Sequence, residues 1–358
     1  MISAGTVCKR AACAAVLLLP VLVATTAGAA EDGQPRAAGE VRQWLERTLG
    51  GVERLNFEGT FVYVQGSHVE SMRITHGRAD TGEWQRLNSL SGPKREVLLA
   101  NRDLTCSLPQ GQITLKSRRV TSFPVSLPKD IDRLERHYAF GLQGEDRVAG
   151  HEARILAVTP RDGLRYGLRL WLEKNTGMIV RTMLVGSDGA PLEQMMYTDL
   201  RFLDVAPPAP SAAELQAAGA GDPGSGETPV STVAEVAPVA QWSLASLPAG
   251  FEQVQHNRFQ RQSDGRPTEH VVYSDGLATI SLFIERVTPG RSLLEGPSRI
   301  GAMNAWGKVV DGIQAVVVGE VPAATVAAFA QGLKFAPAPV TSTATTAGTA
   351  DKTAETKP

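Results

Sequence analysis

Cysteine is scarce in this chain, which has three in 358 residues: Cys8, Cys13 and Cys106. The first two lie in the N-terminal 30 residues, so a chain that loses this segment keeps only Cys106. One cysteine cannot form an internal disulfide, and the folded regions must rely on apolar cores. We interpret Cys106 as a small buried strand residue, with a reactive thiol as the alternative.

Basic charge does not dominate either, because 36 Lys and Arg stand against 37 Asp and Glu, a formal net charge of −1. Loss of residues 1–30 would remove two basic residues and no acidic ones, which leaves a net charge of −3. Proteins that bind nucleic acid carry a strongly basic patch or stripe. We therefore predict no nucleic-acid partner.

Catalytic and metal-binding motifs are missing from the sequence. Its six histidines never fall at the spacing of a metal site, and His151-Glu152 lacks the second histidine of a helical zinc motif. Neither a phosphate-binding glycine loop nor a nucleophile elbow occurs. The sequence thus predicts a protein that is not an enzyme and that uses no cofactor and no metal.

The N-terminus has the composition of a secretory signal peptide. Lys9 and Arg10 precede an apolar run from Ala11 to Ala24, and small residues follow up to Ala30. The run is shorter than the ~20 apolar residues that a membrane span requires. We predict cleavage near Ala29 or Ala30 and release of a soluble exported protein, with an uncleaved membrane anchor as the alternative.

A β-hairpin is predicted between Leu55 and His76, where apolar and polar residues alternate. A strand would send three aromatic rings to one face, with Gly59 leaving space between two of them: Phe57, Phe61 and Tyr63. Gln65-Gly66-Ser67 interrupts the apolar run and predicts the turn. Such a face needs a cover, so we expect other parts of the fold to pack on it.

Further apolar patterns extend this sheet. Two helices are predicted, one from Val41 to Val52 and one between Pro128 and Phe140. Strand patterns separated by Gly, Pro, Asn and Asp predict a meander of hairpins between Glu83 and Leu203. We predict an α+β fold whose curved, mostly antiparallel sheet carries helices on its concave side.

The length predicts about two domains, and the composition indicates where they separate. Residues 207–238 contain Pro, Ala, Gly, Ser and Glu with almost no large apolar side chain, which is typical of a flexible linker. The predicted division is a signal peptide at 1–30, a first domain at 31–206, a linker at 207–238, a smaller C-terminal α+β domain at 239–335 and a disordered tail at 336–358.

Two Asp-Gly pairs lie between predicted strands of the smaller domain, at Asp275-Gly276 and Asp311-Gly312. This dipeptide favours the two-residue primed turns of β-hairpins. We therefore predict two tight hairpins. Pro322 follows the second hairpin and is suited to the first turn of a helix.

Three segments carry a resemblance to a known family: Leu55–His76, Tyr273–Glu285 and Val316–Val326. They occur in the family's order, and over roughly residues 41–335 the sequence resembles the MucB/RseB family of periplasmic proteins. The resemblance implies a protein that restrains the envelope-stress sigma factor by binding the periplasmic part of a MucA/RseA-type anti-sigma factor. It also implies that the first domain is a half-barrel similar to the periplasmic lipoprotein carriers.

Methionine and aromatic residues are concentrated on the predicted strands of the first domain. Flexible thioethers suit a lumen for irregular apolar ligands such as acyl chains, but the same residues are also able to fill an ordinary core. The resemblance favours the lumen, because the half-barrel carriers hold lipid in the corresponding space. The predicted lipid-binding residues are Phe57, Phe61, Tyr63, Met72, Ile74, Trp84, Met183 and Met195.

Tyr273-Ser274-Asp275-Gly276 is the string most typical of the family in the smaller domain. One interpretation is a tight turn in which Gly276 takes a positive φ without steric cost. The other is contact with the protein partner, which is predicted for Tyr273 and Asp275.

The resemblance leads us to expect a regulatory binding protein that shields the anti-sigma factor from proteolysis and releases it when a lipid or lipopolysaccharide fragment binds. A periplasmic carrier of lipid or lipoprotein would use the same lumen. It would not need a second domain that reads the state of the first, so the domain organisation favours the regulator. A lipid esterase would need a nucleophile with a base, which the sequence does not offer. A homo-oligomer is left open.

Overall fold

The computed structural model describes residues 33–51, 54–79, 82–100, 103–108, 111–116, 127–128, 130–211, 238–260, 265–288, 290 and 293–336. The predicted signal peptide, most of the predicted linker, nearly all of the predicted tail and the side chain of Cys106 lie outside this part of the chain. Within it the protein is mostly β-sheet, with few helices.

Three helices are present among the described residues: α1 (Gly33–Gly51), α2 (Ile131–Glu135) and α3 (Ala323–Gly332). α1 confirms the first predicted helix and begins before it. Its Val41, Leu45 and Thr48 are buried, as expected of a single inward-facing stripe at three- and four-residue spacing. No helix in the described part of the chain is long and apolar enough to cross a membrane.

The first eleven strands of the described chain are β1 (Asn56–Gln65), β2 (His68–Ala79), β3 (Gly82–Ser89), β4 (Glu96–Ala100), β5 (Asp103–Leu108), β6 (Gly111–Lys116), β7 (Tyr138–Val148), β8 (His151–Pro160), β9 (Gly167–Glu173), β10 (Ile179–Val185) and β11 (Pro191–Leu203). They form one sheet in the order β6-β5-β4-β3-β2-β1-β11-β10-β9-β8-β7. Its two meanders, β1–β6 and β7–β11, join where β1 pairs antiparallel with β11. Residues 33–211 are called the large unit below.

Helices α1 and α2 cover part of this sheet. Leu45 of α1 and Leu134 of α2 are buried with Leu156 of β8 and Leu170 of β9 in one apolar cluster. Burial of a leucine side chain contributes about 1.5–3 kcal/mol. The apolar contacts with the sheet therefore hold both helices in place.

The large sheet bends back on itself. β8 and β11 are separated by β9 and β10, yet Nε2 of His151 lies 3.0 Å from the Leu200 carbonyl oxygen. The His151 ring also packs edge-on against Phe202. Three strand spacings across a flat sheet would amount to about 14 Å, so this contact requires strong curvature.

The helix predicted between Pro128 and Phe140 is shorter than expected, so the prediction was wrong in extent. α2 has only five residues. Its N-cap residue Asp130 accepts a hydrogen bond from the Arg133 amide, and the helix ends where the His137 amide bonds to the Leu134 carbonyl. From Tyr138 onward the chain pairs with β8 instead, and the strand ladder satisfies its backbone hydrogen-bonding groups.

The remaining strands of the described chain are β12 (Trp242–Leu244), β13 (Glu252–Gln260), β14 (Pro267–Ser274), β15 (Thr279–Arg286), β16 (Gly296–Ile300), β17 (Met303–Val310), β18 (Ile313–Gly319) and β19 (Leu333–Phe335). Six of them form a sheet in the order β13-β14-β15-β18-β17-β16, and β12 pairs with β19. Val326 and Phe329 of α3 are buried against Val271, Leu282 and Val317 of this sheet. Residues 238–336 are called the small unit below.

The two Asp-Gly pairs form different loops. Asp311-Gly312 is a two-residue loop between β17 and β18, with φ values of 50° and 72°, which confirms the predicted tight hairpin. At Asp275-Gly276 the hairpin forms, but the predicted two-residue loop is wrong. Ser274 pairs with Thr279, so the loop has four residues, and the Asp275 amide bonds to the Ala278 carbonyl.

Candidate functional site

Six of the predicted lipid-binding residues share one face of the large sheet. In the strand register Phe61 is opposite Met72, and Tyr63 is opposite Met195. Ile74 is opposite Gly59, in phase with these pairs. The cluster is called the aromatic face and consists of Phe57, Phe61, Tyr63, Met72, Ile74 and Met195. Its members are buried except for Tyr63 and Met72, which are half-buried, so the face is well covered.

The structure does not bring Trp84 and Met183 to this face. Trp84 pairs with Gly77, one position out of phase with Ile74. Met183 pairs with Gln194, one position out of phase with Met195. Because successive side chains of a strand point to opposite faces, the register places both out of phase with the aromatic face. Met183 still packs against the larger apolar cluster that includes this face, and Trp84 does not belong to that cluster.

Gly59 is needed where it is, because a Cβ atom there would lie 2.6 Å from the Asp199 carbonyl oxygen and 3.0 Å from the Tyr197 ring. The Tyr197 ring occupies this space. Its hydroxyl is buried without a hydrogen-bond partner among the described residues, and burial raises its pKa. An unpaired buried hydroxyl costs about 1–3 kcal/mol, so a polar atom of a ligand beside it would be stabilised.

A buried ion pair joins the large and small units. Nε of Arg165, in the loop before β9, donates to Oδ2 of Asp275, 2.5 Å away, and both side chains are fully buried. The hydroxyl of Tyr138, the first residue of β7, donates to the same oxygen at 2.9 Å. Burial, followed by the nearby Asp275 charge, raises the pKa of Tyr138. Arg165, Asp275 and Tyr138 are called the latch.

The remaining donors and acceptors of the latch are also satisfied. Arg165 donates to Asp162 and to the Ala249 carbonyl of the small unit, and its guanidinium lies 4.9 Å from the centre of the Phe251 ring. Oδ1 of Asp275 accepts from the amides of its own loop. Removing one partner of such a pair would leave a buried charge without compensation.

Two further hydrogen bonds cross between the units. The Asn304 amide donates to the Tyr166 hydroxyl at 2.9 Å, and the Thr325 hydroxyl donates to the Leu164 carbonyl at 2.7 Å. Both large-unit partners lie in the loop that carries Arg165. This one loop therefore contacts the small unit at three separate points.

An open cleft of about 510 Å³ lies beside the latch. Its apolar walls come from both units, with Leu168 and Leu184 on one side and Phe283, Met303 and Val318 on the other. Pockets of this size accommodate small ligands or the side chains of a peptide. The cleft is therefore a second candidate binding site besides the aromatic face.

Two carboxylates lie at the Glu320 end of the cleft. Glu320 lines it, and partial burial together with the nearby Glu193 charge raises the pKa of Glu320. Glu193 accepts hydrogen bonds from Tyr63 and Gln65. Among the described residues, no group of three or more His, Cys, Asp and Glu side chains is arranged to hold a metal ion.

Comparison with known proteins identifies relatives that cover both units. MucB of Pseudomonas aeruginosa, a sigma factor AlgU regulatory protein, is 33% identical over 317 residues, which are 87% of this chain and 93% of that protein. RseB of Escherichia coli K12, a sigma-E factor regulatory protein, is 29% identical over 79% of this chain and 87% of its own length. The solved MucA/MucB complex of Pseudomonas aeruginosa is similar with a TM-score of 0.64 and 29% identity, covering 84% of this chain and 100% of that chain.

Two domains of one protein family match this chain, the N-terminal domain first and the C-terminal domain second. The MucB/RseB N-terminal domain matches residues 40–218, and the MucB/RseB C-terminal domain matches residues 236–334. The chain belongs to the MucB/RseB family.

In this MucB/RseB member the two residues predicted to contact a partner are both buried within the protein. Tyr273 packs in the core of the small unit against Phe329. Asp275 is engaged by the latch. Direct contact of Asp275 with a partner would require the latch to break, and direct contact of Tyr273 would require the core of the small unit to open.

Sequence reasoning missed the two large-unit residues of the latch. The pattern predicts a helix across Tyr138 and a meander of strands across Arg165, and it singles out neither residue. A signal was present: an arginine and an aspartate, each in a loop between apolar strands of this MucB/RseB sequence. This signal does not identify Arg165 and Asp275 as a pair, because the two residues are 110 positions apart in the sequence.

Proposed function

We propose that this protein is a periplasmic negative regulator of an envelope-stress sigma factor, which binds the periplasmic part of a MucA/RseA-type anti-sigma factor and shields it from proteolysis. The observation that carries the proposal is the likeness over nearly the whole chain to MucB in its complex with MucA. The named relatives regulate sigma-E and AlgU factors. A regulator of this kind acts by binding another protein, and the cleft between the sheets of the two units offers a binding site.

A lipid or lipopolysaccharide fragment is the proposed signal, and the large unit is its proposed receptor, in the form of a curved half-barrel. The curvature shown by the contact of His151 with Leu200 and Phe202 supports this shape. The aromatic face supplies apolar surface, and the unpaired hydroxyl of Tyr197 supplies a polar group for a lipid head or ester. The buried side chains of the aromatic face would have to move apart for an acyl chain to enter.

Release of the partner requires coupling between the two sites. If lipid favours an arrangement of the units that binds the anti-sigma factor poorly, the anti-sigma factor must weaken lipid binding by the same factor. A shift from mostly bound to mostly free requires a differential affinity of about 5 kcal/mol between the two arrangements. The latch is an inter-unit contact that such a rearrangement would have to break, so the coupling would act through it.

Reciprocal calorimetric titration tests the proposal. The periplasmic region of MucA is titrated into the full-length mature protein with and without a saturating lipopolysaccharide fragment, and the fragment is then titrated with and without MucA. We expect MucA to bind, and each ligand to weaken the other equally. Absence of MucA binding would contradict the regulator, while equal affinities in both titrations would contradict the lipid signal alone.

A further inference from the structure

The inter-unit cleft has the form of a docking surface for part of another protein. Its apolar walls continue outward to Met303, whose side chain is 42% exposed, and to Ile300 on the same hairpin, which is 76% exposed. Exposed apolar surface that leads into a concave site marks a place where a partner or ligand binds.

Charge at the Glu320 end of the cleft narrows the choice of partner. Glu320 lines the cleft. Glu193 accepts from Gln65, and the Gln65 side chain lies against Gly301, in the turn before the lining residue Met303. Burial raises the pKa of Glu320, and the Glu193 charge also raises it. Glu193 accepts only from the neutral donors Tyr63 and Gln65. Within the described ranges neither carboxylate is ion-paired to Lys or Arg. Arg299 lies near Tyr166 of the same cleft and acts on its pKa, but its Nε donates to the Gly301 carbonyl at 2.8 Å and not to either carboxylate.

Two neighbouring carboxylates that are not ion-paired repel each other, and a cation placed between them would relieve the repulsion. A phosphate or carboxylate head of a lipid would add a third negative charge at the same place. A peptide segment with a basic side chain among apolar ones matches both the acidic end and the apolar walls.

We propose that this cleft binds a segment of the anti-sigma factor in which a lysine or arginine is flanked by apolar residues, with its cation between Glu193 and Glu320. The inference rests on the proposed function and adds the chemistry of the recognised segment. The apolar flanking side chains lie against Leu184 of the large unit and Phe283 of the small unit.

Site-specific cross-linking locates the segment. A benzoylphenylalanine residue is placed at position 184, the mature protein is mixed with the periplasmic region of MucA, and the cross-linked peptide is identified by mass spectrometry after irradiation. We expect a peptide with Lys or Arg within a few residues of the linked atom. A cross-linked peptide without a basic residue, or the lack of any cross-link while MucA binds, would contradict the inference.

Charge variants then test the recognition itself. We expect E193Q/E320Q to bind MucA about tenfold or more weakly, since close charge pairs at interfaces couple by at least about 1.5 kcal/mol. The matched control is Glu58→Gln, which removes an exposed ion pair with Arg201 elsewhere on the large sheet and should bind normally. The thermal midpoint of E320Q alone should equal or exceed that of the wild type, because like-charge repulsion is removed and no hydrogen bond or ion pair of Glu320 within the described residues is lost. E193Q also changes the hydrogen bonds from Tyr63 and Gln65, so folding of the double variant is checked by circular dichroism.

A charge swap separates recognition from any general effect. E320K should weaken MucA binding further than E320Q, and exchange of the cross-linked basic residue of MucA for glutamate should restore affinity to E320K. If wild-type protein binds MucA and E193Q/E320Q binds it equally well, this inference falls and the proposed function stands. If wild-type protein does not bind MucA at all, the proposed function falls as well.

Discussion

The small unit contains the dipeptide Asp-Gly in two loops, which differ in length and in the burial of the aspartate. Asp311 and Gly312 form a two-residue turn at the surface, where both residues are exposed and both have positive φ. Asp275 and Gly276 open a four-residue loop, in which Asp275 is fully buried. The comparison shows that turn chemistry decides the loop only where nothing else binds the aspartate.

Asp275 has partners that Asp311 lacks. Its Oδ1 accepts from the amides of Leu277 and Ala278, and its Oδ2 accepts from Tyr138 and Arg165 of the large unit. A two-residue turn would carry its carboxylate away from these donors. The inter-unit bonds, together with the burial of the loop, therefore outweigh the preference of Asp-Gly for a primed turn.

Replacing each aspartate by alanine should give the largest difference between the two loops. Asp275→Ala leaves the buried guanidinium of Arg165 without its counter-ion, which costs about 3–5 kcal/mol. Asp311→Ala should cost less than the ~1–2 kcal/mol of a left-handed residue with a Cβ atom, because Asp311 already bears that cost at its φ of 50°. Urea denaturation, monitored by tryptophan fluorescence, measures the free energy of unfolding of both variants.

The double variant R165M/D275L is the control for this interpretation. Replacing a buried ion pair by apolar residues is often neutral or stabilising, so R165M/D275L should be more stable than D275A. Equal stability of D275A and D311A would show that the latch does not hold the units together.

Much of the fold could be predicted from local patterns. The alternation of Phe57, Phe61 and Tyr63 specifies a strand with three rings on one face, and Asp311-Gly312 specifies a hairpin. Met183 could not be assigned to a face in this way, because its orientation depends on its pairing with Gln194 in a neighbouring strand. Burial of Asp275 depends on Arg165, which local sequence does not identify as its partner.

Removal of the Tyr138 hydroxyl should destabilise the protein less than Asp275→Ala, because it removes only one of the partners of Asp275. Tyr138→Phe keeps the ring and removes the hydrogen bond to Asp275, a bond to a charged group that is worth about 1.5–3 kcal/mol. We expect a loss of about 2 kcal/mol in the free energy of unfolding. Tyr166→Phe is the matched control, because its hydroxyl accepts only a neutral hydrogen bond from Asn304, and it should cost about 1 kcal/mol. Similar losses in both would indicate that Asp275 is stabilised without Tyr138.

The two glycines should show the smallest difference. Gly312 has a φ of 72°, and a Cβ atom there would meet nothing within 4 Å, so Gly312→Ala should cost about 1–2 kcal/mol for the left-handed backbone alone. Gly276 has a φ of 109°, further from the left-handed region, and its Cβ would lie 3.3 Å from Leu134 and from Pro128 of the large unit. We expect Gly276→Ala to cost about 1 kcal/mol more than Gly312→Ala, because strained backbone outside that region costs about 1–3 kcal/mol and the packed neighbours must also move. Leu134→Ala removes one of the two packed neighbours, so the excess should be smaller when the comparison is repeated in that background, and only the part due to the backbone at φ 109° should stay. An excess unchanged by Leu134→Ala would show that the strain belongs to the loop itself and not to the contact between the units.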